Sequence, residues 1–507
     1  MALTDSQKNS LRHPFQWLFE PTPEKTPSNP DQENPDGSIP RRELSGLMFG
    51  LMGQNQLYGL AGGWFFHFMT NVLKIRPETV GTMMGIITAW DAVNDTIAGG
   101  IIDNYRFKNG QKLVPWVKYT SPLMAVFAFF MFVNWGYANT NQALLYSTIV
   151  YLLWDSVYSF QDSAIWGLTA IISPRSSEKA RSVQWAEVGV TLGGLIPGLL
   201  GAFFSGDGLG PFNQQQIYLA FAVILCLGGG FISLFACRVR ERIPNPPKTE
   251  SVFKGIIDLR HNYILWLFIL SDVLSNLSPR MSDVFLYQSY HDYHIGSWTL
   301  PAGLTVTIVG AVMGIPDMAM KFFANKIIDK FGGGRRLMII AKIVSICVRI
   351  VCYFIRIDTL PRLILTRAVG IINSIPNSVN GVAMRSMIAD SVDYVEWKTG
   401  KRTEGMTMAA RNFQSKINGA IGNVVQGFTL AAIDYDADAI DEGREQSEMF
   451  QTWRWPTFQL GPVIGLVTSV IPLIALKLPD YDKIGKDLAE RRAARKEAEE
   501  AETVEMK

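Results

Sequence analysis

Long apolar blocks dominate this sequence and leave few folds open to it. Counting stretches of about 20 mostly apolar residues, the length that crosses a bilayer as a helix, gives about twelve. The first half of the chain holds blocks near 47–73, 79–102, 114–133, 143–172, 183–204 and 217–237. The second half holds blocks near 263–284, 300–323, 337–355, 363–388, 406–432 and 458–476. The expected class is therefore an all-α membrane protein with about twelve transmembrane helices. Composition agrees, because 48% of residues are hydrophobic and only 18% charged.

A formal net charge of +2 gives no case for nucleic-acid binding, and no glycine loop of a phosphate-cradling kind is present. Cys226, Cys237, Cys347 and Cys352 all fall inside apolar blocks without metal-ligand spacing, so they read as packing residues. No cofactor is expected.

Orientation follows from where Lys and Arg gather in short connections. Arg106, Lys108 and Lys112 follow the second block; Arg175, Lys179 and Arg181 the fourth; Arg238, Arg240 and Arg242 the sixth. Lys326, Lys330, Arg335 and Arg336 follow the eighth, and Lys398, Lys401 and Arg402 the tenth. The third connection, 134–141, has no basic residue, and the eleventh carries Asp434, Asp436, Asp438, Asp441 and Glu442. Both termini are thus expected in the cytoplasm of a multi-pass plasma-membrane protein, with a bacterial inner membrane as the setting.

The domain reading places a polar, Pro-rich cytoplasmic tail without a cleavable signal at 1–43 and a six-helix half at 44–238. A linker containing Pro244, Pro246 and Pro247 follows at 239–260, then a second six-helix half at 261–480 and a charged, solvated tail at 481–507. Ile101-Ile102-Asp103 recurs as Ile327-Ile328-Asp329, and Glu178 as Glu404, both at an offset of 226 residues. Two matches at one offset point to parallel repetition of two six-helix halves, with a ligand site between them near the midplane.

Within this apolar frame a few polar residues are costly enough to need a purpose. Asp91 and Asp95 lie four apart in the second block, on one helical face, with Asn94 beside them. An intramembrane carboxylate is a functional candidate by default. Lys416 in the eleventh block shares a face with Asn412, Gly419, Asn423 and Gln426, and can neutralise the pair. A static buried salt-bridge cluster is the alternative use. In the fourth block Trp154, Tyr158, Ser159, Asp162 and Trp166 form a second constellation, in which Tyr158, Asp162 and Trp166 stack at four-residue spacing. A carboxylate accepts sugar hydroxyls and an aromatic ring packs on a pyranose face; interfacial aromatics with a helix-packing acid are the alternative.

Trp90-Asp91-Ala92-Val93-Asn94-Asp95, Lys112-Leu113-Val114-Pro115-Trp116 and the run from Ala389-Asp390-Ser391-Val392-Asp393 to Thr403-Glu404-Gly405 carry a more specific signal. They resemble the signatures of the glycoside–pentoside–hexuronide:cation symporter family, of the melibiose-carrier type, within the major facilitator superfamily. The resemblance covers roughly 44–487. It implies the major facilitator fold and matches Asp91 and Asp95 to the family's cation-binding acids, with Asn94 and Lys416 beside them. It also matches Asp162 and Trp166 to the sugar-binding acid and its neighbouring tryptophan, which makes Tyr158, Ser159 and Trp154 candidate substrate residues. Asn55 stands where the melibiose carrier has a first-helix acid, Glu187 where it has a fifth-helix arginine, and Gly381 where it has a tenth-helix tryptophan. Asp155 adds a further acid. Asn373, Asn377 and Asn380 share a face of the tenth block and can line the opposite wall or pack between helices.

Arg175, Glu178, Arg181, Asp390, Asp393, Glu396, Arg402 and Glu404 are expected to form an inter-half cytoplasmic gate, solvated helix ends being the alternative. The function expected on this resemblance is symport of a glycoside or related sugar with Na+, Li+ or H+ by alternating access, in a lipid bilayer, with a monomer as functional unit. An uncoupled or exchange transporter of a lipid-like or charged molecule is the first alternative, and a membrane sensor without transport the second. No Ser–His–Asp or metal-ligand arrangement favours an enzyme.

Overall fold

The computed structural model describes residues 38–479, except 106, 109, 174–175, 201–212, 243–261, 289–292, 296–297, most of 302–333, 400–403 and 443, together with Ile484, Asp487, Leu488, Glu490 and Arg491. Helices follow the apolar blocks: α1 Arg41–Asn71, α2 Pro77–Asn104, α3 Val114–Met131, α4 Thr140–Ile171, α5 Ser176–Gly198 and α6 Gln214–Ser233 in the first half. The second half has α7 Tyr263–Asn276, α8 Asp283–Gln288, α9 Gly334–Ile355, α10 Leu360–Thr399, α11 Glu404–Ala432, the short α12 Ala437–Asp441 and α13 Glu448–Ala475. Most of the eighth block lies outside the described residues.

Local chemistry sets the ends of these helices. Pro77 opens α2 at a position where its missing N–H costs nothing. Asn139 caps α4 by accepting from the Gln142 amide at 3.0 Å, and Asn213 and Gln216 form a reciprocal capping box on α6. The seventh block is broken: α7 stops at Asn276 and the chain restarts as α8 beyond Pro279, a helix breaker that the length of the block concealed. A hairpin follows, Tyr293–Ile295 antiparallel to Trp298–Leu300 with Ile295 opposite Trp298. Gly296-Ser297 between two β-prone triplets was the available signal.

By length and composition alone three described helical segments are apolar enough to cross a membrane, namely Gln214–Arg238, Gly334–Ile355 and Glu448–Ala475. The others fall short either by length, as the apolar α7 does, or because they carry polar residues, several of which build the candidate site. Large side chains such as Ile86, Leu145, Leu227, Phe354 and Ile471 stand outward and exposed, as a lipid-facing girdle would.

The C-terminal tail departs from the solvated run expected from the sequence. At the start of the linker, residues 239–242 are held against the first half. Glu241 accepts from the backbone amides of Lys112, Leu113 and Val114 at 2.7 Å each, an anion at the N-terminus of α3. Arg242 forks onto Glu43 at 2.8 and 2.9 Å and also donates to the Ile172 carbonyl at 2.9 Å. The start of the tail is docked, not solvated: Ile484 and Leu488 are buried, the Trp397 indole donates to Asp487 at 3.0 Å, and Arg491 donates to the Trp397 carbonyl at 2.9 Å. The N-terminal tail to residue 37 lies outside the described residues.

The two halves meet at the end of the bundle that carries the α1–α2 and α11–α13 connections. There α2 and α11 approach to backbone contact, because Gly81 and Gly427 face each other. A Cβ built on Gly427 would lie 2.5 Å from the Pro77 carbonyl oxygen, and one on Gly81 2.6 Å from that of Asn423. Beside this seam, the Tyr435 hydroxyl donates to Asn71 at 2.9 Å, and Asn71 donates in turn to His67, whose other ring nitrogen meets the Tyr218 hydroxyl at 2.6 Å. Phe285 packs on both His67 and Tyr435, and Lys74 pairs with Asp438 at 3.0 Å. Asp436 steadies the same connection. Partial burial raises its proton affinity, but Arg444 and the Asp438 amide outweigh that and hold its carboxyl below the usual range.

Gly427→Val should open this seal. Overpacking of a close contact costs about 1–3 kcal/mol, so labelling of a cysteine placed at Val80 by a membrane-impermeant thiol reagent should speed up by about fivefold or more. Unchanged labelling would show that the glycine contact does not hold the seal.

Candidate functional site

The site is built where α2 and α4 of the first half meet α11 of the second. Lys416 on α11 reaches across to α2 and contacts both acids, the Asp91 carboxylate directly and Asp95 at 2.5 Å. Helical spacing explains the double contact, since residues four apart on α2 present both carboxylates to one ammonium. Asn423, two turns along α11 from Lys416, donates to the Thr88 hydroxyl at 3.3 Å, so the polar stripe read on α11 faces α2.

Asn94 turns from the lysine toward α4. Its amide donates to the Ser159 hydroxyl at 2.9 Å and lies 3.5 Å from the Asp155 carbonyl, and Ser159 donates to Asp91 at 3.1 Å. Three elements are thereby tied through one carboxylate, with Asp91 accepting from both Lys416 and Ser159.

Asp162 sits one helical turn beyond Ser159. It accepts from Gln54 on α1 at 2.8 Å and from the Tyr158 hydroxyl at 3.4 Å. Trp154 and Tyr158 stack at 5.2 Å, and Tyr58 of α1 closes over them at 5.2 Å from Tyr158 and 6.5 Å from Trp154. Trp154 is fully buried, whereas Tyr58 is 48% exposed in the middle of its helix. Trp166, two turns further along α4, packs against the apolar cluster that contains Leu51, Ile165 and Leu168.

Other candidates fall elsewhere. Asn55 points back along its own helix and donates to the Leu51 carbonyl at 3.0 Å, so Gln54 and not Asn55 is the α1 partner of Asp162. Gln54 and Tyr58 lie four apart on one face, a pairing visible in the sequence but passed over in favour of the aligned position. Glu187 is exposed on α5, on the face that at Gly198 accepts a hydrogen bond from Thr307 of the second half at 3.1 Å. The side chain of Asn377 lies outside the described residues; Asn373 is described, and its side-chain oxygen is buried without a partner among the described residues.

Of the gate candidates, Arg175 and Arg402 and the side chains of Asp390 and Glu404 lie outside the described residues. Glu178 pairs with Arg181 at 3.5 Å within the first half and accepts from the Ile39 amide at 2.7 Å. Asp393 and Glu396 lie partly buried on the last turns of α10. A separate groove of about 760 Å³ between α2, α4 and α11 is lined by Met83, Ile86, Leu152 and Phe428 and is largely apolar.

A carboxylate pair answered by a lysine from the opposite half, inside an apolar helical bundle, is an arrangement for ions and small polar solutes rather than for bond chemistry. The family model for MFS/sugar transport proteins matches residues 46–480. The chain belongs to that family. It is a multi-pass membrane transporter, not an enzyme, of the symporter type that the sequence motifs resemble.

Among curated proteins it is 22% identical over 413 residues to the glucuronide carrier protein homolog of Escherichia coli strain K12, covering 79% of this chain and 85% of that protein. It is 23% identical over 461 residues to the isoprimeverose transporter of Lactiplantibacillus pentosus, covering 87% and 89%. Solved structures share the fold at low identity. The nucleoside transporter NupG superposes with a TM-score of 0.57 at 11% identity, covering 88% of this chain and 99% of that one. The D-xylose-proton symporter gives 0.52 at 10%, covering 85% and 95%.

Proposed function

We propose that this protein is a cation-coupled sugar or glycoside symporter that works by alternating access, with Na+, Li+ or H+ loading at Asp91 and Asp95. The observation that carries this reading is that Lys416 belongs to one half and both acids to the other. Two carboxylates in an apolar bundle need a counter-charge, and the lysine supplies it only while the halves are held together at α2 and α11. A coupling ion that takes over the acids releases the lysine, so ion binding alters the contact between halves. Because Ser159 and Asn94 link Asp91 to α4, the same event reaches the segment that carries Asp162.

Ion and sugar then assist one another through a shared element, with a coupling free energy of about 1–3 kcal/mol, or about 5- to 150-fold in affinity. The relatives include proteins named for a glucuronide and for isoprimeverose, which supports a glycoside as cargo. The basic connections mark the cytoplasmic face of a bacterial inner membrane, with both termini on that side. In that orientation the end closed by the Gly81–Gly427 contact is external. The acidic and basic residues of 175–181 and 390–404 close the cytoplasmic side in the opposite state, and a single copy suffices for the cycle.

Proteoliposomes test the reading. With radiolabelled isoprimeverose, lactose or a methyl glucuronide and an imposed Na+ or pH gradient, the wild type should accumulate at least one of them, and Asp95→Asn should lose about tenfold or more of that accumulation. Undiminished gradient-driven accumulation by Asp95→Asn would remove the ion assignment.

A further inference from the structure

We propose that the cargo bound around Asp162 is a sugar-like molecule carrying a protonated amine. This inference rests on the sugar-symporter reading above and narrows it to a substrate class.

Three observations meet at the site. The first is charge. Asp155 lies within electrostatic reach of Asp91 and Asp95, and Asp162 within reach of Asp95, and the cation common to all four acids is Lys416. The lysine is committed to Asp91 and Asp95, so Asp155 and Asp162 have no cation of their own among their described neighbours.

The second is unmet hydrogen bonding. Gln54 is fully buried, and its amide nitrogen is spent on Asp162, leaving its Oε1 without a donor among the described residues. Asp155 is 5% exposed, and its Oδ2 likewise has no partner there. A buried acceptor left without a donor is costly, and a buried carboxylate more so. Both acceptors call for N–H or O–H groups from outside the chain, and the Trp154 indole N–H, buried and without a partner among the described residues, calls for an acceptor such as a sugar hydroxyl.

The third is aromatic. Tyr58, Trp154 and Tyr158 stack beside these acceptors, with the outer ring of Tyr58 half exposed. Ring faces attract cations and also pack on sugar faces. A neutral sugar satisfies the rings and some of the acceptors but leaves the charge unanswered. An anionic sugar is repelled. A hydroxylated ammonium satisfies all three, its hydroxyls meeting Asp162 and Gln54 while its ammonium lies between Asp155 and the Tyr58 ring.

The test uses three glycosides that differ in one substituent: methyl glucoside, methyl glucosaminide with one hydroxyl replaced by an amine, and methyl glucuronide. Calorimetric titration of each into the purified full-length protein should find the amine about ten- to a hundredfold tighter than the neutral glycoside, and the acid weakest. Asp155→Asn, which keeps the side-chain shape, should bring the amine-to-neutral affinity ratio down to near one, and Tyr58→Leu should weaken all three glycosides, the amine most. A thermal unfolding transition like that of the wild type shows that the variants are folded.

Equal affinity for amine and acid, or an amine preference untouched by Asp155→Asn, would overturn the proposal while leaving sugar symport standing. Failure of all three glycosides to bind would overturn both.

Discussion

Lys416→Met is expected to lower the thermal stability of the purified protein sharply in cation-free buffer at neutral pH, and saturating coupling ion or mild acid should restore most of the loss. Removing one member of a fully buried ion pair costs about 3–5 kcal/mol, because the remaining charge is left uncompensated, and the partly buried cluster here should lose about half of that. Here the remainder is two carboxylates on adjacent turns of α2, which then repel each other as well. A metal ion or a proton can substitute for the ammonium, whereas a choline salt at equal ionic strength cannot approach. Unfolding curves recorded in choline, sodium, lithium and acidic buffers separate these cases. A variant as stable as wild type in every buffer would mean that the acids do not depend on the lysine.

The second large effect is expected at the base of the first half. Glu43 is fully buried and takes a two-pronged hydrogen bond from Arg242, while the Arg240 amide donates to it at 3.1 Å. Arg242 in turn holds the Ile172 carbonyl, so one pair joins the start of α1, the end of α4 and the segment after α6. Glu43→Ala should cost about 3–5 kcal/mol, much of it from the arginine left behind, whereas Glu43→Met combined with Arg242→Met should cost far less. A double-mutant cycle in a denaturant titration checks this. Simple additivity of the two single replacements would show that the pair is not the clamp it looks like.

How far these features can be read from the sequence depends on how strongly the environment penalises the alternatives. Blocks of apolar residues announce helices in a bilayer because nothing else satisfies their backbone, and most described boundaries of α1 to α13 follow the blocks within several residues. Asp91, Asp95 and Lys416 were legible for the same reason, since each is too costly in an apolar span to be incidental.

Cheaper residues left weaker marks. Glutamine in a helix is unremarkable, so Gln54 passed unnoticed beside Asn55, and only the side-chain directions of the fold separate the one that reaches Asp162 from the one that bonds to its own helix. His67 was passed over among the five histidines, because what gives it a role is the arrival of Tyr218, Asn71 and, through Asn71, Tyr435 from remote parts of the chain. Pro279 is a breaker legible in the sequence but concealed by the apolar length of the block around it.

The reach of Lys416 across the interface has one more consequence. A cationic group on a tether that occupies the ion's own seat behaves as a built-in competitor, present at a fixed effective concentration set by the geometry of α11. The affinity an outside ion displays is then its intrinsic affinity diluted by this resident rival. Any movement that draws α11 away from α2 sharpens ion binding without altering a single ligand. Selectivity and apparent affinity are therefore separable properties: the carboxylates decide which ions are accepted, and the leash on the lysine decides how much of the ion is needed.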